Sequence, residues 1–240
     1  MNNNKDSAGS AFVLGALLCV GLALLGYFVS GGIVRIRALD RTVEVKGLSE
    51  REVPADIAIW PIRFNEADND LNLLFLTLER KNAAIEAFLK KRGFKEDEIS
   101  VSAPAIQDRQ AQGYSDTQIK FRYSGASTLT VYTRNVDSVR NAMKDLVELG
   151  KQGIAIAGQD YEAKTEYLFT RLNDIKPDMV EEATKNARLV AEKFARDSQS
   201  GLGKIKRAVQ GQFSINDRDS NTPHIKKVRV VSTLEYYLAD

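Results

Sequence analysis

The chain has 240 residues, 43% hydrophobic and 28% charged, with 34 Lys plus Arg against 32 Asp plus Glu and a formal net charge of +2. So even a balance leaves no nucleic-acid footprint. The only cysteine is Cys19 and the only histidine is His224, which excludes disulfides and a histidine-cysteine zinc site.

Residues Ala11 to Val29 form a run of nineteen without a charge, roughly 29 Å long as a helix. An apolar run of this length crosses lipid only as a helix, so the expectation is an N-terminal transmembrane helix, with residues 1–37 as tail and uncleaved anchor. A cleavable signal peptide is the competing reading, with Val29 and Gly31 as the small pair before a cut, although its apolar region is usually about 7–15 residues. Orientation is contested. Arg35, Arg37, Arg41 and Lys46 follow the run and only Lys5 precedes it, which favours a cytoplasmic body, whereas a run at the start of the chain resembles an export signal. Cys19 follows Leu18, not the small residue a lipidation site needs, so it reads as a lipid-facing side chain.

The body, ~200 residues from about residue 38, is long enough to bury a substantial core. Thr42 to Val45 alternate as a strand, Gly47 interrupts, and Ile57 to Phe64 resume; Pro61 argues for an edge position or a bulge. Asp68, Asn69 and Asp70 supply cap chemistry for a helix that places Leu71, Leu74, Phe75, Leu78, Ile85, Phe88 and Leu89 on one broad face. Lys90, Lys91 and Arg92 suit its last turn, and Gly93 its left-handed stop.

Strands follow at Ile99 to Gln107 and Ile119 to Thr133, joined by a polar loop around Gln110 to Asp116. The second has period two, with Gly125 marking a bulge. A helix from Val136 to Leu149 ends at Gly150. A strand from Ile154 to Phe169, a long helix from Ile175 to Ser198, and strands Ile205 to Ile215 and Ile225 to Leu238 complete the chain. The fold class is therefore α+β, with two strand-helix-strand-strand units and antiparallel sheets with helices packed on one face. The repeat reads as an internal duplication of about 41–134 and 150–240. One continuous antiparallel sheet is the alternative. In the second long helix Ala183, Ala187, Ala191 and Ala195 recur every four residues, a seam for tight packing on a sheet or for a helix contact between subunits.

Site patterns fail on specific residues. Gly203 and Lys204 resemble the end of a P-loop, but Ser198 stands where its first glycine belongs and Ile205 where Ser or Thr belongs. Asp217, Asp219 and Asn221 resemble a calcium loop, but Thr222 replaces its glycine and Val228 its bidentate Glu. A hairpin connection fits better, with weak cation binding as the alternative. Glu181 with Glu182, and Asp97 with Glu98, read as solvated carboxylates; Lys226, Lys227 and Arg229 read as charges that blunt an exposed strand edge. No catalytic, cofactor-binding or metal-ligating residue is assigned.

The segment Val43-Glu44-Val45-Lys46-Gly47-Leu48-Ser49-Glu50, followed by Val53-Pro54-Ala55-Asp56, resembles the opening motif of SIMPL-domain proteins, with Ala55 inserted between the family's Pro and Asp. Phe121 to Val131, Glu182 to Arg188, and Phe194-Ala195-Arg196-Asp197 leading to Leu202-Gly203 are similar to later parts of that family. The resemblance implies a bacterial envelope protein with residues 38–240 as a SIMPL-like α+β domain. It also implies oligomers, kinship with oxidative-stress defence proteins and envelope antigens, and no catalytic residue. It turns the orientation toward the periplasm: a single-pass inner-membrane protein with its C-terminal domain in the periplasm, contacting the membrane through residues 11–29. The function expected is a membrane-anchored, non-enzymatic interaction or assembly module, a homo-oligomer or the partner of an envelope protein, with no cofactor. The alternative is a periplasmic module binding a small ligand or envelope component in a cleft between the repeats, lined by Trp60, Tyr123 or Tyr161.

Overall fold

The computed structural model describes residues 15–29, 41–111, 120–158 and 163–239. Among them no helix is long and apolar enough to cross a membrane. Helix α1, residues 15–29, has fifteen residues, about 22 Å at 1.5 Å each, against a hydrocarbon core about 30 Å thick. Residues 11–14 of the apolar run lie outside the described part. This corrects the transmembrane anchor, and with it the inner-membrane contact through residues 11–29, the signal-anchor topology and the single-pass location.

The remainder is α+β, with two sheets. Strand β1 (Thr42–Pro54) runs straight through the expected interruption at Gly47, because Val45, Gly47 and Ser49 alternate inward with Glu44, Lys46 and Leu48 outward. Strand β2 (Ile57–Asp68) leads to helix α2 (Leu71–Lys91), whose N-cap Asp70 accepts from Asn72 N and Leu73 N at 2.8 and 3.2 Å. After a 3₁₀ turn (Glu96–Glu98), the strand expected over Ile99 to Gln107 is split into β3 (Ile99–Val101) and β4 (Ala105–Asp108). Pro104, which cannot donate to a ladder, lies in the gap.

Strand β5 (Tyr123–Thr133) precedes α3 (Val136–Lys144) and α4 (Val147–Lys151), two helices where the periodicity predicts one. Of the strand expected over Ile154 to Phe169, the described residues show only β6 (Glu166–Leu168) and a single bridge from Ile156 to Phe64. Helix α5 (Leu172–Asp197), β7 (Gly201–Gln210), β8 (Ser214–Asp217) and β9 (Ile225–Ala239) follow. Gly211 separates β7 from β8; a Cβ there would come within 2.6 Å of Val231 O.

The chain forms two compact units. One comprises Glu50–Lys176 and Ser214–Arg229. Its larger sheet has the order β3-β5-β2-β6, with β4 also on β5 and all of these pairs antiparallel. Trp60, Ile62 and Phe64 of β2 stand opposite Val131, Leu129 and Ser127 of β5 on the face that α2 covers with Leu74, Leu78, Ile85 and Leu89. Two readings need correction here. Strand β2 is an interior strand, yet Pro61 falls where β6, which pairs only with Ile57–Ile59, leaves that side of β2 uncovered. Gly125 sits in an unbroken register opposite Glu66 and makes no bulge; a Cβ there would lie 2.9 Å from Leu78 Cδ1, so glycine admits the helix.

The other unit comprises Met1–Ser49, Pro177–Phe213 and Val230–Asp240. Its sheet has the order β1-β9-β7, so the strand beside β9 comes from the start of the chain, and β6, next to α5 in sequence, pairs with β2 instead. The alanine seam of α5 lies on this sheet: Ala187 and Ala191 pack with Val45, Leu234 and Tyr236. Gly47 meets the backbone of Ala183 and Ala187 directly, Asn186 Nδ2 donates to Leu48 O at 2.8 Å, and Ser49 Oγ donates to Glu182 at 2.9 Å.

Candidate functional site

On β2, β4 and β5 the side-chain alternation that sends Trp60, Ile62 and Phe64 under α2 leaves Arg63, Asn65, Ala67, Ala105, Gln107, Ser124 and Ala126 on the opposite face. These residues, with Arg109 and Phe121, line an open trough of about 830 Å³. Register fixes its floor: Ala105 stands beside Ala126, which faces Asn65, and Gln107 stands beside Ser124, which faces Ala67. Arg109 borders one end, its backbone N–H bonded to Arg122 O at 2.9 Å and its Nε to Ser124 Oγ at 3.4 Å.

The nearby carboxylates are already engaged. Glu66 pairs with Lys81, and Asp108 accepts from Arg122 Nη2 at 2.9 Å. The Arg122 hydrogen bond leads the effects that hold the Asp108 carboxyl below its usual range, with backbone bonds from Gln110 and Ala111 adding to it. The trough therefore carries cationic and neutral polar groups beside neutralised acids.

A second cleft, of about 550 Å³, lies in the same unit between α3, β6 and the turn before β9, and holds His224, Tyr167, Arg140, Lys144, Lys164 and Asn221. The rings of His224 and Tyr167 meet edge to face at 6.1 Å. Burial, then the charges of Arg140 and Arg218, lowers the His224 pKa; burial raises that of Tyr167. His224 is thus half-buried in its turn, with its ring against that of Tyr167.

In the unit with the β1-β9-β7 sheet, α5 turns Leu189, Val190 and Phe194 outward, 58%, 38% and 56% exposed. Around them lie the pairs Glu181 with Lys185 at 2.5 Å and Arg188 with Glu192 at 3.0 Å. Edge strand β7 is exposed along most of its length and shows Ile205 and Val209 between Lys204, Lys206 and Arg207. Two register shifts, at Leu202/Ile205 and Ile205/Arg207, twist it away from a flat edge.

The other singled-out residues have structural roles. Gly203 lies within β7, with a Cβ position 2.8 Å from Tyr237 O, and belongs to no phosphate loop. Asp219 closes the turn before β9, accepting from Asn221 N and Thr222 N at 2.8 Å and from Arg218 Nε at 3.0 Å; these bonds, with that from the Thr222 hydroxyl foremost, hold its pKa far below the usual range. Glu98 accepts from Lys95 N at 2.9 Å and Thr133 Oγ1 at 2.5 Å, and Glu182 is held by Ser49.

Lys226 pairs with Asp217 and Lys227 with Glu50 at 2.8 Å, so the basic residues of β9 brace an interior strand; the blunted edge is β7. Trp60 is 3% exposed, its ring tilted against that of Phe94 at 6.4 Å inside the core, and lines neither cleft described above; Tyr123 packs against the same core beneath Arg122. Tyr161 lies outside the described residues. Among the described residues no group of three or more His, Cys, Asp or Glu is placed to hold a metal ion. Sequence reasoning did not find the trough: one alanine on each of three strands carries no motif, and only pairing brings Ala67, Ala105 and Ala126 together.

Residues 43–231 match the family model described as SIMPL, Protein of unknown function (DUF541). No curated protein matches the chain.

Proposed function

Since the chain belongs to the SIMPL family, we propose that it is a non-enzymatic interaction and assembly module of the cell envelope, and that copies associate through the outward face of α5. The observation that carries this reading is the apolar patch of Leu189, Val190 and Phe194, framed by charges of both signs on one helix. Such a face is self-complementary: turned antiparallel on a second copy, it sets apolar against apolar and acid against base, as an isologous two-fold interface requires. The same reading takes residues 38–240 as one SIMPL-like domain, with a duplication of about 41–134 and 150–240 as its origin. The strand pairs β3-β5 and β7-β9 support this, since each follows a long helix, with β1 and β6 exchanged between the two sheets.

Light scattering after size exclusion, on the full chain, tests the assembly. The mass expected is a multiple of 26.7 kDa, falling when Phe194 and Leu189 are changed to Glu together. A monomeric wild type, or a double variant of unchanged mass, would overturn the reading.

A further inference from the structure

We propose that the open face of β2, β4 and β5 is a binding trough for an acidic oligosaccharide, with Arg109 taking a carboxylate and Asn65 and Ser124 taking hydroxyls. The inference does not depend on how copies of the chain assemble.

The floor is the first observation. Solvent-facing positions of strands ordinarily carry β-branched, aromatic or long polar side chains, and alanine is disfavoured there. Here Ala67, Ala105 and Ala126 cluster across three neighbouring strands, with Ser124 among them. No helix of their own unit needs that space: α2 packs on the other face, where Gly125 answers to Leu78. Small residues on the free side open a depression of about 830 Å³, near the top of the range for small-molecule sites, about 300–1,000 Å³.

Charge is the second. Glu66 and Asp108 are neutralised by Lys81 and Arg122, while Arg109 is tethered only through Nε and its backbone, leaving its terminal nitrogens unengaged among the described residues. A guanidinium so placed presents a planar fork that matches a carboxylate. Asn65 also makes no side-chain hydrogen bond among the described residues. Amides donate and accept from one side chain, as a run of sugar hydroxyls demands.

Shape selects a sugar chain over a peptide. The backbone groups of β5, between β2 and β4, are taken up by the ladder, so a ligand lying along this floor meets side chains, whereas an extended peptide binds by adding to a strand edge. From the level of Arg63 to that of Ala67, which faces Ser124 and with it the Arg109 guanidinium, β2 advances four residues, about 13 Å at 3.3 Å each. That length suits a short run of linked sugar units with an acidic group at the Arg109 end.

Calorimetric titration of the full chain with linear tetragalacturonate tests this, beside its fully methyl-esterified form and a tetraglutamate peptide. One site is expected for the uronate, with the ester and the peptide roughly tenfold weaker or more. Arg109→Gln should weaken uronate binding about tenfold. Ala126→Ile, which fills the floor with a better strand former, should abolish binding while thermal stability holds or rises; a purely structural alanine would show the reverse. Lys204→Gln, on the edge of the other sheet, should change nothing. The proposal is overturned if the uronate does not bind at millimolar concentration, or if ester or peptide binds as well. It is also overturned if Arg109→Gln and Ala126→Ile bind like the wild type, or if Lys204→Gln weakens binding as much as Arg109→Gln.

Discussion

At Gly47 a hydrogen atom is the only side chain the packing admits. A Cβ would overlap the carbonyl oxygen of Ala183 and the amide nitrogen of Ala187, and backbone atoms inside a helix cannot give way as a side-chain tip would. Gly47→Ala should therefore cost about 3 kcal/mol or more in urea unfolding, although alanine is intrinsically no worse in a strand. His224 makes a pH prediction. Its folded pKa lies below the ordinary 6.5 because burial, then Arg140 and Arg218, disfavour the imidazolium against the weaker pull of Asp137 and Asp219. Between that pKa and 6.5 the unfolded chain binds more protons. Stability from the neutral ring is thus complete above about 6.5 and is lost as pH falls through the folded pKa. His224→Phe should flatten this part of the stability-versus-pH curve, read by denaturant midpoints across the window.

Among the elements, α2 was the most legible, because a broad apolar face at helical spacing, a capping Asp70 and the stop at Gly93 all agree. Asp70→Ala removes the acceptor for two orphan amides and should lower stability by about 1 kcal/mol, with faster amide exchange at Asn72 and Leu73. Elsewhere local pattern and tertiary demand diverge. The apolar spacing over 136–149 predicts one helix, but the chain breaks at Asp145, where Arg92 at the end of α2 binds both Asp145 and Glu148. The partner that the break accommodates lies more than fifty residues away. Strand Ile154 to Phe169 was over-read: alternation is visible in sequence, but among the described residues this stretch pairs with β2 only beside Ile57–Ile59 and at Phe64.

For the whole molecule, the path of the chain matters more than its pattern. The unit with the β1-β9-β7 sheet draws on three separate stretches of sequence and the other on two. A fragment 150–240 carries α5, β7 and β9 but lacks β1, and with it Val45 and the Gly47 seat for α5. Expressed alone, it should show no cooperative unfolding transition, and adding a peptide of residues 41–54 should restore helical circular dichroism. A fragment that folded unaided would refute this account of the sheet.

The sequence by itself determined the family, through its motifs, and the α+β class, the two long helices and the inward face of β5, because these follow from periodicities of 3.6 and 2 that each segment carries within itself. Tertiary structure alone decided which strand completes which sheet, that the alanine seam closes on Gly47, and that one alanine from each of three strands lines one trough. Among the described residues it also shows no helix long and apolar enough to cross a membrane. The physical reason is common to all of these: pairing and close approach depend on residues far apart in the chain, and no local period encodes a neighbour's identity.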